Sequence, residues 1–447
     1  MTEKITEELT MTLPELPNHS EYETYDTGDD CALLRYTDVT PEEYAQYGDL
    51  LLAEGYRLHN EHEVLKKENR YAQYTDGEMS VTVFYTEAEN VLLVAQEPMA
   101  KTALVPTEAA PFEVAEGYRP RFWQVGMSDP PATGDTNYSG MCYLYLLADG
   151  SFLIYDGGHD DTVEKNKLCR EQNARRMYEI MKANAPDPAH ITIAAWVITH
   201  PHTDHIGAMV GFHKLGFDQR VKLESVIINV PAFEQLTGLV APNFDAYKPK
   251  HQSYRDMLDE FRAGGTVVYK AHPGQIFYLR NATVQMLFTH DMRAHEPMGN
   301  YNSASIVSRV VIEHEGKPVL RVMMTGDMYG VVAAKLVKVY GDTMDSDMVQ
   351  IPHHGWFKYS DDSFYLATLP DYVLWPCGRE IDENVLIHGH AKVWSLEWNN
   401  WVREVLAEGN MYSDKIFWGF FDTVEFELPF NGKNFKRTEN VYYPEEV

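Results

Sequence analysis

Apolar residues recur along this chain in two rhythms, and the change between them marks its elements. From about Glu21 to Pro98, alternating stretches at Tyr71 to Tyr74, Ser80 to Tyr85 and Asn90 to Gln96, separated by Asp76-Gly77 and Glu87 to Asn90, predict a meander of strands. One helix precedes them. Thr40 can cap it, Pro41 suits its first turn, Glu42 and Glu43 face the positive end of its dipole, and Gly55 stops it after Glu54. A helix on a small sheet, an α+β domain over residues 1–100, is the simplest assembly.

Over residues 101–120 the period disappears and Pro, Ala and Glu accumulate, which predicts a linker. From Arg121 onward, apolar runs at Met141 to Leu147, Phe152 to Tyr155 and Ile191 to Ile198 alternate with helical stretches such as Val163 to Ala183. Further strands are predicted at Val221 to Val230, Val284 to Phe288, Ser305 to Ile312, Val319 to Met324 and Asp347 to Ile351. That order implies a layered α/β domain over residues 121–447. Trp394, Trp398 and Trp401 have helical spacing and read as the buried face of a C-terminal helix rather than a cage for a cation.

Composition narrows the classes of partner. A chain of 447 residues exceeds what one core serves, and no run approaches the roughly 20 apolar residues of a membrane span. The opening residues have neither a basic start nor an apolar stretch, so a cytoplasmic location and no membrane partner are expected. A formal net charge of −29 repels a polyanion, which disfavours long nucleic acid and points to a small-molecule substrate. Cys31, Cys142, Cys169 and Cys377 are far apart and form no CxxC pair, so buried free thiols are expected. The tyrosines of the N-terminal domain, among them Tyr22, Tyr25, Tyr56, Tyr71, Tyr74 and Tyr85, suit either half-buried strands or a surface for a homo-oligomer.

Candidate chemistry concentrates after the run Ala194 to Ile198, where Thr199-His200-Pro201-His202-Thr203-Asp204-His205 places three imidazoles and one carboxylate on a strand end and turn. Such a set can converge on one point with nitrogen and oxygen donors suited to zinc, manganese or iron. His200, His202, Asp204 and His205 match HxHxDH in full, and here the chain resembles the metallo-β-lactamase superfamily. The resemblance runs from about Arg121 into the C-terminal region and implies a four-layer αββα metallo-β-lactamase sandwich behind the small α+β domain.

Three more motifs follow in the order of that family. Leu153-Ile154-Tyr155-Asp156-Gly157-Gly158 resembles its strand ending in Asp-Gly, which implies that Asp156 braces the metal loop without touching metal. Met323-Met324-Thr325-Gly326-Asp327 resembles the motif whose aspartate bridges two metals, and Pro352-His353-His354-Gly355 the final histidine motif. The resemblance implies two divalent ions, zinc foremost with manganese or iron as alternatives. His200 and His202 would hold the first, Asp204, His205 and one of His353 and His354, with His354 preferred, the second, and Asp327 both. Asp204 and His353 are the candidate catalytic residues, His353 giving a proton to the leaving group or holding an anionic oxygen. His388-Gly389-His390 reads as a surface loop.

The departures from the family sharpen the substrate. No Gly-His-Thr occurs, which lowers the weight of glyoxalase, β-lactamase and transfer-RNA nuclease activities. Phe288-Thr289-His290-Asp291 stands in that region, with His290 a candidate third ligand of the first metal, followed by Asn300-Tyr301-Asn302-Ser303-Ala304-Ser305. This combination is most like the branch holding the hydrolase domain of competence proteins and the phosphorylcholine esterases. His202 stands where the redox branch carries glutamate, which disfavours oxygen chemistry. The expected function is hydrolysis of a small or medium phosphodiester by metal-bound hydroxide. Hydrolysis of a lactone, amide or thioester, or a non-catalytic metal-binding scaffold, are the alternatives.

Overall fold

The computed structural model describes residues 13–127, 140–158, 169–236, 241–355, 362–376, 415–419, 422–441 and 443. The first part of the predicted Val163 helix, Cys377, His388, His390 and the three C-terminal tryptophans lie outside the described residues.

The chain opens with β1 (Glu23–Asp26), β2 (Ala32–Tyr36), α1 (Pro41–Ala53), β3 (Arg57–Val64), β4 (Lys66–Thr75), β5 (Met79–Thr86) and β6 (Val91–Pro98). Thr40 caps α1 reciprocally: its Oγ1 accepts from the Glu43 N–H at 3.2 Å, and the Glu43 carboxylate accepts from the Thr40 N–H at 2.8 Å. The strands form one antiparallel sheet in the order β1-β2-β6-β5-β4-β3. β1, β2 and β3 were not anticipated from the sequence pattern. β3 and β1 are the two edges, where Arg57, Glu61 and Glu63 or Glu23 face water, so neither shows the alternation of a half-buried strand.

The following elements are β7 (Arg121–Gln124), β8 (Cys142–Leu146), β9 (Phe152–Asp156), α2 (Cys169–Asn184), β10 (Ile191–Val197), α3 (Thr203–Lys214), β11 (Val221–Leu223), β12 (Ser225–Ile228), α4 (Ala241–Ala263) and β13 (Val267–Lys270). With β21 (Asp422–Glu427) and β22 (Phe435–Glu439), these strands make a sheet ordered β13-β12-β10-β9-β8-β7-β21-β22, β11 pairing β10. Its β9, β10, β12 and β13 run parallel, with α2, α3 and α4 as the connections between them. α4 has no counterpart in the predicted elements; Pro249 inside it reads as a stop.

A seven-stranded sheet is built from β14 (Ile276–Leu279), β15 (Ala282–Phe288), β16 (Val307–His314), β17 (Lys317–Met324), β18 (Met348–Gln350), β19 (Tyr372–Trp375) and β20 (Ile416–Trp418), in sequence order. Helices α5 (Gly330–Tyr340) and α6 (Asp362–Thr368) connect its parallel strands β17, β18 and β19.

Burial on alternate faces stacks these sheets. Tyr143, Tyr145, Leu153 and Tyr155 point from one sheet into a core shared with Val284, Val310, Val322 and Met324 of the other. The opposite face of the first sheet, with Leu144, Ile154 and Trp196, packs on Met177, Met209 and Met257 of α2, α3 and α4. The outer face of the second, with Met323 and Val349, packs on Leu336 of α5 and Phe364 of α6. Among the described residues this is helices, sheet, sheet, helices.

The N-terminal sheet joins that outer layer. Leu33, Tyr71, Phe84 and Leu93 lie in the same apolar cluster as Met323 and Leu336, while Tyr47 and Leu51 of α1 cover its other face. The stretch read as a linker is pinned: Val105 is fully buried, its N–H donates to Gln73 Oε1 at 3.1 Å, and its carbonyl meets His59 Nε2 at 2.9 Å. Cys31 and Cys142 are buried free thiols, as expected.

Because the N-terminal sheet shares a core with the body, Phe84→Ala should lower global stability by about 3–5 kcal/mol. Chemical denaturation followed by both far- and near-ultraviolet circular dichroism should keep one coincident transition. A separate early transition of the N-terminal unit alone would contradict the shared core.

Candidate metal centre

The candidate residues sit at the C-terminal ends of parallel strands, where open α/β sheets place their ligands. Asp156 ends β9, the His200 to His205 stretch leaves β10, Asp327 follows β17, and His353 and His354 follow β18. A backbone hydrogen bond from Ile306 N–H to the Thr199 carbonyl (2.8 Å) and one from His353 N–H to the Gly326 carbonyl (3.1 Å) tie these loops together.

The bracing of the loop is explicit. Asp156, fully buried, accepts from Thr199 N–H on Oδ1 at 2.8 Å, and on Oδ2 from Thr199 Oγ1 and from the His205 ring Nδ1, each at 2.8 Å. Thr199 Oγ1 donates to Asp156, so it accepts from His200 Nδ1 at 3.1 Å. Both rings thereby hold their Nδ1 protons, and Nε2 of each is turned to the interior of the site. A side chain at Gly157 would meet Ala208 Cβ at 2.7 Å, which explains the Asp-Gly pair at this point: α3 approaches the β9 end too closely for a Cβ.

Two groups of ligand atoms result, each with all members within 4.8 Å of one another: His200, His202 and Asp327, and Asp204, His205, Asp327 and His354. Asp327 belongs to both. Its Oδ2 lies 3.2 Å from His205 Nε2 and 3.8 Å from His200 Nε2, and its Oδ1 lies 3.5 Å from His354 Nε2. His200 Nε2 and His202 Nδ1 are 3.0 Å apart. The residues fit metal on an observation independent of motif: His205 Nε2, His354 Nε2 and Asp327 Oδ1 are buried without a well-directed hydrogen bond. A buried polar atom normally finds a partner, and three such atoms meeting at one point, nitrogen and oxygen donors, suit a divalent transition ion.

The electrostatics point the same way. Burial, followed by the neighbouring rings, drives His200 far below the usual histidine range, and burial pushes His202 down to about 4. Burial opposes protonation of His205 and His354 too, but Asp327 and the adjoining carboxylates outweigh it and hold both above that range. Asp204 and Asp327 are held well below the carboxylate range against burial, His205 being the largest stabilising partner of each. A desolvated cluster of carboxylates thus demands positive charge.

Backbone strain gathers here. Asp156 (φ 52°), His353 (φ 49°) and His354 (φ 54°) occupy the left-handed region, which side-chain-bearing residues enter at a cost of roughly 1–3 kcal/mol each. Gly326 (φ 53°) adopts it freely, and a Cβ there would press on Thr199 at 3.0 Å.

His290, read as a possible third ligand of the first ion, belongs to neither group. It lies in a short 3-10 turn after β15, 2% exposed, and burial pushes it down to about 4. Two contributors went unassigned. Ser305 Oγ accepts from Asp327 N–H at 3.0 Å, and Asn302 Nδ2 donates to His353 Nε2 at 3.1 Å. Both stand in the Asn-x-Ser run, whose polar residues ahead of an apolar strand were the available signal.

No family model and no curated protein matches the chain. Solved structures that carry the metallo-β-lactamase fold are distantly similar to it. The metallo-β-lactamase-fold protein YhfI of Bacillus subtilis is 12% identical with a TM-score of 0.31, over 57% of this chain and 85% of that one. A metallo-β-lactamase with a HARLDQ motif from Cronobacter sakazakii is 15% identical with a TM-score of 0.26, over 51% and 76%. CmlA, a diiron β-hydroxylase of Streptomyces venezuelae, is 13% identical with a TM-score of 0.37, over 74% and 55%. Such likenesses assign no activity to this chain.

Two outcomes follow from the geometry. Asp156→Asn should weaken divalent-metal affinity by about 10–100-fold, because an amide turns one of the two accepting oxygens into a donor and cannot satisfy all three hydrogen bonds; competition against a chromophoric chelator measures it, and unchanged affinity would remove Asp156 from the bracing role. The adjoining carboxylates raise the pKa values of His205 and His354, so these rings hold their protons more tightly before metal enters. Binding must expel them, so affinity rises with pH. Titration calorimetry at pH 7 in buffers of different ionisation enthalpy should register proton release, and identical heats would contradict it.

Proposed function

We propose that this chain is a binuclear metal-dependent hydrolase of the metallo-β-lactamase type, with zinc as its metal and a small or medium phosphodiester as its substrate. The observation that carries the reading is Asp327: a single carboxylate, 1% exposed, belongs to both ligand groups. His200 and His202 would hold one ion, and Asp204, His205 and His354 the other. Bound there, two ions would supply Lewis acidity toward a phosphoryl oxygen and acidify water enough to react near neutral pH.

The chain's own residues orient and move protons. His353 differs from its neighbour: its side chain is 16% exposed against 2% for His354, and its Nε2 accepts from Asn302. Burial lowers its pKa, so the ring is neutral at pH 7 and its proton resides on Nδ1. Such a ring, its Nε2 3.7 Å from Asp327 Oδ2, would take part in proton transfer beside the ligand groups. The net charge of −29 repels long polyanions and favours a compact substrate. The phosphodiester choice is supported by the resemblance of the Asn-x-Ser, Thr-Gly-Asp and Pro-His-His-Gly motifs to the competence-protein and phosphorylcholine-esterase branch, an analogy of motif.

Zinc-loaded protein assayed on bis-p-nitrophenyl phosphate and p-nitrophenyl phosphorylcholine, beside lactone and thioester substrates, should turn over the phosphodiesters; activity confined to carbonyl substrates would sink that choice. His353→Ala should lower kcat by about 10²–10⁴-fold while metal content measured by mass spectrometry stays constant. His354→Ala should instead lose metal. Equal metal loss in both variants would refute the division of roles.

A further inference from the structure

A second set of ligand-type side chains is buried away from the strand-end site, where the N-terminal sheet meets the body. The pairing of Ala32 with Gln96 between β2 and β6 brings Cys31 alongside Glu97. His272, just beyond β13, enters from the other side, and donor atoms of Cys31, Glu97 and His272 lie within 4.8 Å of one another. Cys31 is 0% exposed, Glu97 1% and His272 1%. Glu97 Oε1 stands 3.2 Å from His272 Nε2, while Glu97 Oε2 is buried without a hydrogen-bond partner. A desolvated carboxylate oxygen left so is costly unless something else satisfies it.

The wiring of His272 repeats that of His205. In each, Nδ1 is bound to a buried aspartate, Asp291 Oδ2 at 2.6 Å for His272 and Asp156 Oδ2 at 2.8 Å for His205. In each, a threonine hydroxyl donates to that same oxygen, Thr289 at 3.0 Å and Thr199 at 2.8 Å. The arrangement fixes the tautomer and directs Nε2 at the remaining donors, as the partners of metal-bound histidines do.

We propose that Cys31, Glu97 and His272 form a structural site for a divalent ion of zinc's class, tying the N-terminal sheet to the body. Sulfur, nitrogen and oxygen donors together select zinc or cobalt over magnesium or calcium. On binding, one divalent ion forms bonds to the Cys31 sulfur and to His272 Nε2; the S–H proton, with any proton carried by Nε2, leaves to solvent.

Among the described residues the strand-end groups contain no cysteine, and loss of the signal in Cys31→Ser assigns sulfur ligation to this site. Full-length protein produced in cobalt-supplemented medium, so that burial cannot bar entry, should hold about three cobalt ions and show a sulfur-to-cobalt charge-transfer band in the near ultraviolet. Cys31→Ser and His272→Gln should each abolish the band and reduce the count to two, leaving the weak visible bands of the histidine and carboxylate site. A wild-type protein without the band, or a band that survives Cys31→Ser, overturns the proposal. Should Cys31→Ser fail to fold, a wild-type protein without the band still overturns the proposal. The inference does not rest on the hydrolase reading: the band would persist if no phosphodiester were turned over.

Discussion

The carboxylate of Asp156 is the contact on which the rest of the centre depends. It is fully buried at the end of β9, yet three donors from the adjoining loop converge on it. A buried carboxylate is tolerated only when its oxygens are satisfied, so the loop after β10 has one low-energy position. Through Thr199 and His205 that position determines where the imidazole nitrogens point. Through the Thr199 carbonyl it also holds Ile306, hence the start of β16 in the other sheet. The bracing residue touches none of the atoms that would react, but it links both halves of the sandwich at the site.

The sandwich itself explains why ligands so distant in sequence meet. Two sheets stacked through an apolar core present the C-terminal ends of their parallel strands at one rim, and Asp327 from the second sheet enters among histidines from the first. Burial there removes the water that would screen Asp327, and Asp204 beside it is only partly exposed, so their charge is answered by protons on His205 and His354 or by cations. The left-handed conformations of Asp156, His353 and His354 are held by packing elsewhere, consistent with a site that stores strain to keep its geometry.

The N-terminal sheet is more than an appended module. It shares its core with α5, and charged contacts reinforce the joint: Lys270 donates to the carbonyls of Thr27 and Gly28, Arg255 pairs with Asp29, and Lys335 pairs with Glu89. Cys31, Glu97 and His272 meet at this joint. A buried ionic cluster between two sheets favours one register of docking over its neighbours.

The sequence by itself determined the local chemistry. HxHxDH, Asp-Gly-Gly, Thr-Gly-Asp and Pro-His-His-Gly could be read because strand ends and tight turns constrain residues within a few positions of one another. The apolar runs of β8, β9 and β10 were equally legible, since strands buried on both faces read as continuous hydrophobic segments. The edge strands β1 and β3 escaped, being solvated, and α4 did so because Pro249 interrupts its pattern. His290 and His272 show the limit most clearly. In sequence, His290 at a strand end looked like a ligand and His272 drew no notice; the fold buries the first outside both strand-end groups and places the second among Cys31, Glu97 and Asp291. Which side chains share a point in space is decided by sheet register and layer packing across separations such as the 175 residues between Glu97 and His272. Only the tertiary structure carries that information, because no local preference links positions so far apart.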